Sequence, residues 1–397
     1  MRHLRVGLGI GTLVASCAIA ACSEAAPSTT TPSTIPATPT TSTSQPSSTT
    51  TTAPATTTSA DTITALVTTL PNGTCDLGRP LPEGEFTVAV AGRLYGVSAD
   101  AGSVRCLLDD APLELSWSPV ATSFLSGNRV ITPSGEIPLD AATSYEWTQP
   151  TGQKVVLVTP GSVTKRTLDD GSIEDITFLD VTDEVAYHPA GTHLLAIGSH
   201  PDGRYGLWFA TNAGADETLF AADEGAVLAS AAWTGSGEPV FVARHDDAHS
   251  HIHRVEISES GTLEGPSIVD SENHLDMVLP SAHDPLLIAY RESGAPGLGC
   301  VEGGHARVVG IDLPEPLVSM TSVPVGWVDG ERLLVMSYPA GCAEPGRAWV
   351  FSAGFCPGSE YGAVPLIDDV TAAAVRIPSP PPPPVPEVGS IIDPAPA

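Results

Sequence analysis

The stretch Tyr187-His188-Pro189-Ala190-Gly191-Thr192-His193-Leu194-Leu195-Ala196 decides how this chain is read. An aromatic residue closes one apolar run, Pro and Gly turn the backbone, and a second apolar run follows at once. Pro presets φ for a turn and Gly accepts φ values closed to other residues. The segment therefore predicts two strands joined by a tight connection. The unit recurs along the chain. Ser116-Trp117-Ser118-Pro119, Ala232-Trp233-Thr234-Gly235 with Gly237, and Gly326-Trp327-Val328-Asp329-Gly330 before Leu333-Leu334-Val335 repeat it. Glu146-Trp147 with Gly152 and Val155-Val156 adds a copy, and Ala282-His283-Asp284-Pro285 before Leu286-Leu287-Ile288 is a degenerate one. With anchors at Trp117, Trp147, Tyr187, Trp233, His283 and Trp327, the successive spacings are 30, 40, 46, 50 and 44 residues.

A period of this length fits one small four-stranded sheet, which cannot bury both of its faces alone and must stack on its neighbours. Short apolar runs punctuated by Gly, Pro, Asp and Ser fill the roughly 300 residues from Cys75 to Arg376, with little helical periodicity. The unit resembles the repeats of TolB-like and WD40-like β-propellers, in which an aromatic-Ser-Pro-Asp-Gly turn precedes a strand. The Asp of that pattern is replaced here by Ala190 and Ser236 and is lost in the first unit. The resemblance implies an all-β propeller over residues 71–377, with six blades from six anchors, or seven by length. It also implies a module that presents loops to a protein, peptide or glycan partner. A pair of two-sheet sandwiches is the alternative fold.

Outward from this domain the composition changes. Arg2 and Arg5 precede the apolar run Val6–Ala21, which is too short to span a bilayer comfortably and reads as a signal peptide over residues 1–21. Its ending, Ile19-Ala20-Ala21-Cys22, resembles the lipobox of bacterial lipoproteins. That resemblance implies cleavage before Cys22, acylation of its thiol, and a membrane anchor on the extracytoplasmic face; acyl chains hold at about 0.8 kcal/mol per buried CH₂. Residues 22–70 read as a disordered stalk, since 28 of the 34 residues from Pro27 to Ala60 are Ser, Thr or Pro and none is charged. Residues 378–397, with the unbroken run Pro380–Pro384, read as a Pro-rich tail.

With 46 acids against 17 bases the net charge is −29, which argues against a nucleic-acid partner because phosphate binding needs clustered Lys and Arg. Seven cysteines are present. Cys17 leaves with the signal and Cys22 is the lipidation site, which leaves five in an exported domain that can keep disulfides. Cys75–Cys106 and Cys342–Cys356 are the expected pairs, with Cys300 left over.

The densest chemical cluster is His245-Asp246-Asp247-Ala248-His249-Ser250-His251-Ile252-His253. On an extended chain His249, His251 and His253 share one face, and with Asp247 they suit Zn²⁺, Cu²⁺ or Ni²⁺. The same residues also suit a solvated hairpin loop. The acids Asp169, Asp170, Glu174, Asp175, Asp180, Asp183 and Glu184 could hold Ca²⁺, but their spacing is not that of an EF-hand and Asp-Gly forms turns. Ser98-Ala99-Asp100-Ala101-Gly102-Ser103 reads as a hairpin turn. No Gly-x-Ser-x-Gly elbow, phosphate loop, Cys-x-x-Cys or dinucleotide fingerprint occurs, so no catalytic residue and no resident cofactor is assigned. The expectation is a lipid-anchored envelope protein that binds a partner. The alternative is an extracytoplasmic enzyme or metal-binding protein using the propeller channel or the histidine cluster.

Overall fold

The computed structural model describes residues 67 and 69–376, except 113, 212–215, 223, 246–248, 259–260, 264–266, 298 and 354–361. All of them belong to one compact unit, Ile63–Ala397. Cys22, residues 1–66, Cys356 and the Pro-rich tail lie outside the described residues.

The unit is all-β, built from short antiparallel meanders in chain order. Strands β1 (Glu85–Val90), β2 (Arg93–Ser98) and β3 (Val104–Leu108) come first, followed by β4 (Ser116–Trp117), β5 (Phe124–Ser126), β6 (Arg129–Thr132) and β7 (Gly135–Pro138). Next are β8 (Ser144–Trp147), β9 (Lys154–Thr159), β10 (Ser162–Thr167) and β11 (Ile173–Thr177). Strands β12 (Asp180–Tyr187), β13 (His193–Ser199), β14 (Tyr205–Thr211) and β15 (Asp216–Ala221) follow. Then come β16 (Val227–Trp233), β17 (Pro239–Arg244), β18 (Ser250–Arg254), a side hairpin of β19 (Glu256–Ser258) and β20 (Gly261–Leu263), and β21 (Ser267–Ser271). A three-stranded sheet of β22 (His274–Pro280), β23 (Ile288–Ser293) and β24 (His305–Val308) precedes one helical turn, α1 (Glu315–Val318). Strands β25 (Thr321–Trp327), β26 (Arg332–Tyr338), β27 (Gly346–Ser352) and the long β28 (Ala363–Val375) complete the chain.

Strand β28 has two partners. Its first half pairs with β27 from Ala363↔Phe351 to Val370↔Gly346, and its second half pairs with β1 from Val370↔Val90 to Val375↔Phe86. The last meander and the first thereby merge into one seven-stranded sheet ordered β25-β26-β27-β28-β1-β2-β3. Val67, assigned to the stalk by composition, donates its N–H to the Leu366 carbonyl at 2.7 Å and packs with Leu70 against the same core. At Val67 and Leu70 the chain is therefore already part of that core.

Apolar side chains from facing sheets form seven separate clusters, one between each consecutive pair of meanders. Leu94 and Leu107 meet Trp117 and Phe124; Leu125 and Val130 meet Trp147 and Val155; Val156 and Val158 meet Leu194 and Trp208. The remaining four follow the same scheme, ending with Phe86 and Val88 against Leu334 and Met336. Opposite the packed inner strands, the outer strands are wet: β7 is almost wholly exposed, as is the first half of β11.

The anchor aromatics tie each sheet to the one before it. The indole N–H of Trp147 donates to the Ser116 carbonyl at 3.0 Å, that of Trp233 to Ala186 at 2.9 Å, and that of Trp327 to Leu279 at 2.7 Å. Trp117 reaches the Thr87 hydroxyl at 3.0 Å, which passes its own proton to the Ala374 carbonyl of β28. Trp147→Phe removes the indole N–H and the pyrrole ring of a fully buried side chain, so a loss of about 1–3 kcal/mol is expected in urea unfolding.

After each anchor the same turn closes, as in Ser118 N–H to Ser123 O, His188 N–H to His193 O, and Thr234 N–H to Glu238 O. In the degenerate unit the turn opens at Ser281, whose N–H donates to Leu287 O, so the anchor position is Pro280 rather than His283. Pro280 is not aromatic, so the signature of the repeat is missing there and the nearest aromatic ring in the sequence is His283, three residues on.

His188 is half-buried, set edge-on against Trp233 with ring centres 4.6 Å apart, and His193 stacks on Phe209 at 4.1 Å. Burial pushes both imidazoles below their ordinary 6.5, and His193 adds a repulsive charge to His188. The unfolded chain then binds protons more readily than the fold. Stability is full above pH 6.5 and falls as pH drops through the depressed values. His188→Thr, the residue type of Thr148 and Thr234 at this turn position, is expected to flatten that slope in melts taken between pH 7.5 and 5.

Candidate functional site

The innermost strands of successive meanders lie side by side: β28 packs on β4, β8 on β12, β12 on β16, β16 on β22, β22 on β25, and β25 on β28. Five of them slip register, β12 and β28 as well as the three described next. The register of β16 slips at Ser230 (φ 51°), that of β22 at Met277 (φ 55°), and that of β25 beside Val325. Left-handed φ at a residue with a side chain costs on the order of 1–3 kcal/mol. Here it re-aims the strand beside a cavity of about 420 Å³ lined by Ser230, Met277 and Val325. The Ser230 hydroxyl accepts the Val278 N–H at 3.1 Å, which locks the two bulges together.

Val185, Ala231, Val278 and Val375 make most of the remaining wall apolar, and Glu146, Gln149 and Arg376 supply its polar groups. Volume and lining are those of a ligand pocket. Among the described residues its wall holds no His, Cys or Asp; Ser230, Tyr187 and Glu146 are among its polar side chains. Gly235 matters at the rim, because a Cβ there would stand 1.9 Å from the Ala282 carbonyl oxygen, so the two anchor turns approach backbone to backbone.

A second cavity, about 340 Å³, opens against β17 and β18 and is lined by His245, His251, His253, Asp270, Phe220 and Ser267. The alternation that places His251 and His253 on one face is present, with ring centres 5.9 Å apart. His249 does not line this cavity. It sits exposed in the hairpin, its carbonyl accepting the His245 N–H, and it is the His245 ring that stands 5.3 Å from His251. Asp247 lies outside the described residues. Among the described residues the only trio of metal-type donor atoms in mutual reach is Cys75, Cys106 and Asp109, and its two sulfurs are spent on a disulfide.

The cysteines pair as Cys75–Cys106 and Cys300–Cys342, with Cα separations of 4.5 and 5.5 Å. The second pair corrects the expected Cys342–Cys356 bond. Those two flank the seven-residue strand β27, and a strand of that length holds its ends roughly 20 Å apart. Cys300 follows β23 and Cys342 follows β26, so the bond staples two adjacent sheets.

The acidic clusters form turns and ion pairs. Asp170 accepts the Ser172 N–H, Asp180 accepts the Gly161 N–H, and Glu174 bridges Lys154 and Lys165. Hydrogen bonds from Ser172 lower the Asp170 carboxyl, and those from Lys154 and then Lys165 lower Glu174. Asp100 closes its hairpin by accepting from Ser98 and Gly102.

Sequence reasoning missed one buried polar group. Arg291 is fully buried and donates to Asp276, itself 1% exposed, at 2.7 Å, with Arg244 on the other carboxylate oxygen at 3.4 Å. The one signal was Asp276, a single charge inside the apolar run Leu275–Leu279; Arg291 follows Ile288–Tyr290 beside Glu292 and carries no such mark.

No protein-family model matches the chain, and no curated protein sequence matches it. Solved structures with similar folds include TolB from Acinetobacter baumannii (12% identity, 68% of this chain, TM-score 0.36). The chain spans 60% of the length of that protein. A putative TolB from Agrobacterium tumefaciens is 13% identical over 72% of this chain and 88% of its own (TM-score 0.40). The Cps50 (Swd1) β-propeller domain of Myceliophteria thermophila is 15% identical over 70% and 96% (TM-score 0.45). No activity is carried over from likeness at this level.

Proposed function

We propose that this protein is a lipid-anchored binding protein of the bacterial cell envelope. Cys22 carries the acyl anchor, the Ser/Thr/Pro segment spaces the domain from the membrane, and a seven-bladed propeller receives a protein or peptide partner at its central cavity. Seven inter-sheet clusters among the described residues and the double pairing of β28 support seven blades, one more than the sequence anchors suggest. The extra blade takes its inner strand from the C-terminal half of β28, so it carries no aromatic anchor of its own to find.

The observation that carries the binding role is the cavity at the bulged inner strands, whose wall is mainly apolar. An apolar wall suits a peptide side chain better than a glycan, which needs dense hydrogen bonding. Two disulfides, Cys75–Cys106 and Cys300–Cys342, support an extracytoplasmic setting. Ala231→Trp would fill the cavity. In crosslinking of intact envelopes, one adduct is expected with the parent chain and with a surface control, Glu136→Gln, and not with the filled variant. Equal adducts in all three would sink the cavity reading. Cys22→Ala should separately move the protein from the membrane to the soluble fraction, and its retention would sink the anchor.

A further inference from the structure

Cross-strand pairing in the hairpin of β17 and β18 sets three imidazoles around a gap. Phe241 pairs with His253 and stacks on it at 5.2 Å, while the next same-face pair is Ala243 with His251. Alanine is too small to fill the space opposite a histidine, and Ala226 on the far side adds no bulk. The result is a cavity with His251 on its wall and His245 beside it.

The His251 ring is held in one tautomer. Its Nδ1 lies 2.7 Å from Asp270 Oδ1, its direct partner on β21, and Ser267 donates to the same oxygen at 2.6 Å. The carboxylate is the acceptor of both bonds, and the ring the donor of its own. The proton therefore sits on Nδ1, and Nε2 keeps its lone pair. This is the carboxylate–histidine arrangement that orients metal ligands. Among the described residues nothing else hydrogen-bonds the His251 ring, and nothing hydrogen-bonds the side chain of His245.

Two imidazoles bound to one tetrahedral ion through nitrogens at about 2.0–2.1 Å have ring centres roughly 5 Å apart. The His245 and His251 centres are 5.3 Å apart with planes at 77°. We propose that His245 and His251 bind one late first-row divalent ion, Zn²⁺ by preference of availability, with water in the remaining positions. Asp270 is the positioning residue, and His253, stacked on Phe241 and near Phe220, is the wall that excludes bulk solvent. The site goes beyond the partner-binding role and stands apart from the inner-strand cavity. It also departs from the His249/His251/His253 set read from the sequence.

The test titrates Zn²⁺ into the full chain, purified without an affinity tag and stripped of metal, with Co²⁺ absorption as a second probe of coordination. One ion per chain is expected. His245→Gln and His251→Gln should each weaken binding at least tenfold, and Asp270→Ala by 10–100-fold, the usual range for losing such a partner. His249→Gln should change affinity less than twofold. All four should melt like the parent in the absence of metal and differ only when Zn²⁺ is added. Absence of stoichiometric binding, a His249→Gln loss equal to that of His251→Gln, or a Co²⁺ spectrum unchanged by His245→Gln would each overturn the assignment.

Discussion

Deleting residues 363–397 is expected to leave a chain with no cooperative unfolding transition, although six of the seven inter-sheet clusters lose few of their own residues. Strand β28 supplies the outer strand of the last meander and the inner strand of the first. Its removal exposes two ladders together, along β27 and along β1. It also removes the Ala374 carbonyl that terminates the Trp117–Thr87 hydrogen-bond chain, and Leu366, Ile367 and Val370 from the core they share with Phe86 and Leu334. Near-UV circular dichroism against temperature is the measurement. A sharp transition in the truncated chain would mean that the remaining meanders stand without closure.

Asp276→Ala is expected to cost about 3–5 kcal/mol, the largest effect of any single substitution considered, because it strands the buried Arg291 charge. Arg291 has no exposed surface, and its Nε and Nη1 find no hydrogen-bond partner among the described residues. Asp276 is thus its one close counter-charge. Arg244 shares that carboxylate but keeps some exposure, so it is less exposed to the loss. The double variant Asp276→Ala with Arg291→Met should recover most of the stability, since replacing a buried pair by apolar groups is often neutral or better. Urea midpoints of parent, single and double variants decide it. A double variant as unstable as the single one would locate the cost in packing and not in charge.

The repeat was legible because an aromatic followed by a Gly or Pro turn is a local signal, and Trp117, Trp147, Tyr187, Trp233 and Trp327 each end an inner strand as read. What failed is non-local. Pro280 stands where an aromatic was sought, and the blade completed by β28 takes its inner strand from nearly three hundred residues away, which no window on the sequence can bring together. The histidine face was legible from alternation, yet the ring that joins His251 is His245, across the hairpin. Strand period fixes a face, and only register fixes the neighbour on it. The Cys300–Cys342 bond was hidden for the same reason, since it joins two different sheets.

The wet outer strands give the acidic composition a local purpose. Each ends a sheet with an unpaired ladder that another copy of the chain could extend, and charge is the usual deterrent to such pairing. Glu136 sits on β7, Glu174 and Asp175 on β11, Asp216 on β15, and Asp270 on β21. Replacing these carboxylates by their amides would strip the fringe of its charge. The rims of neighbouring molecules then meet without repulsion, and the chain passes from a self-avoiding particle to one whose edges are templates for its own association.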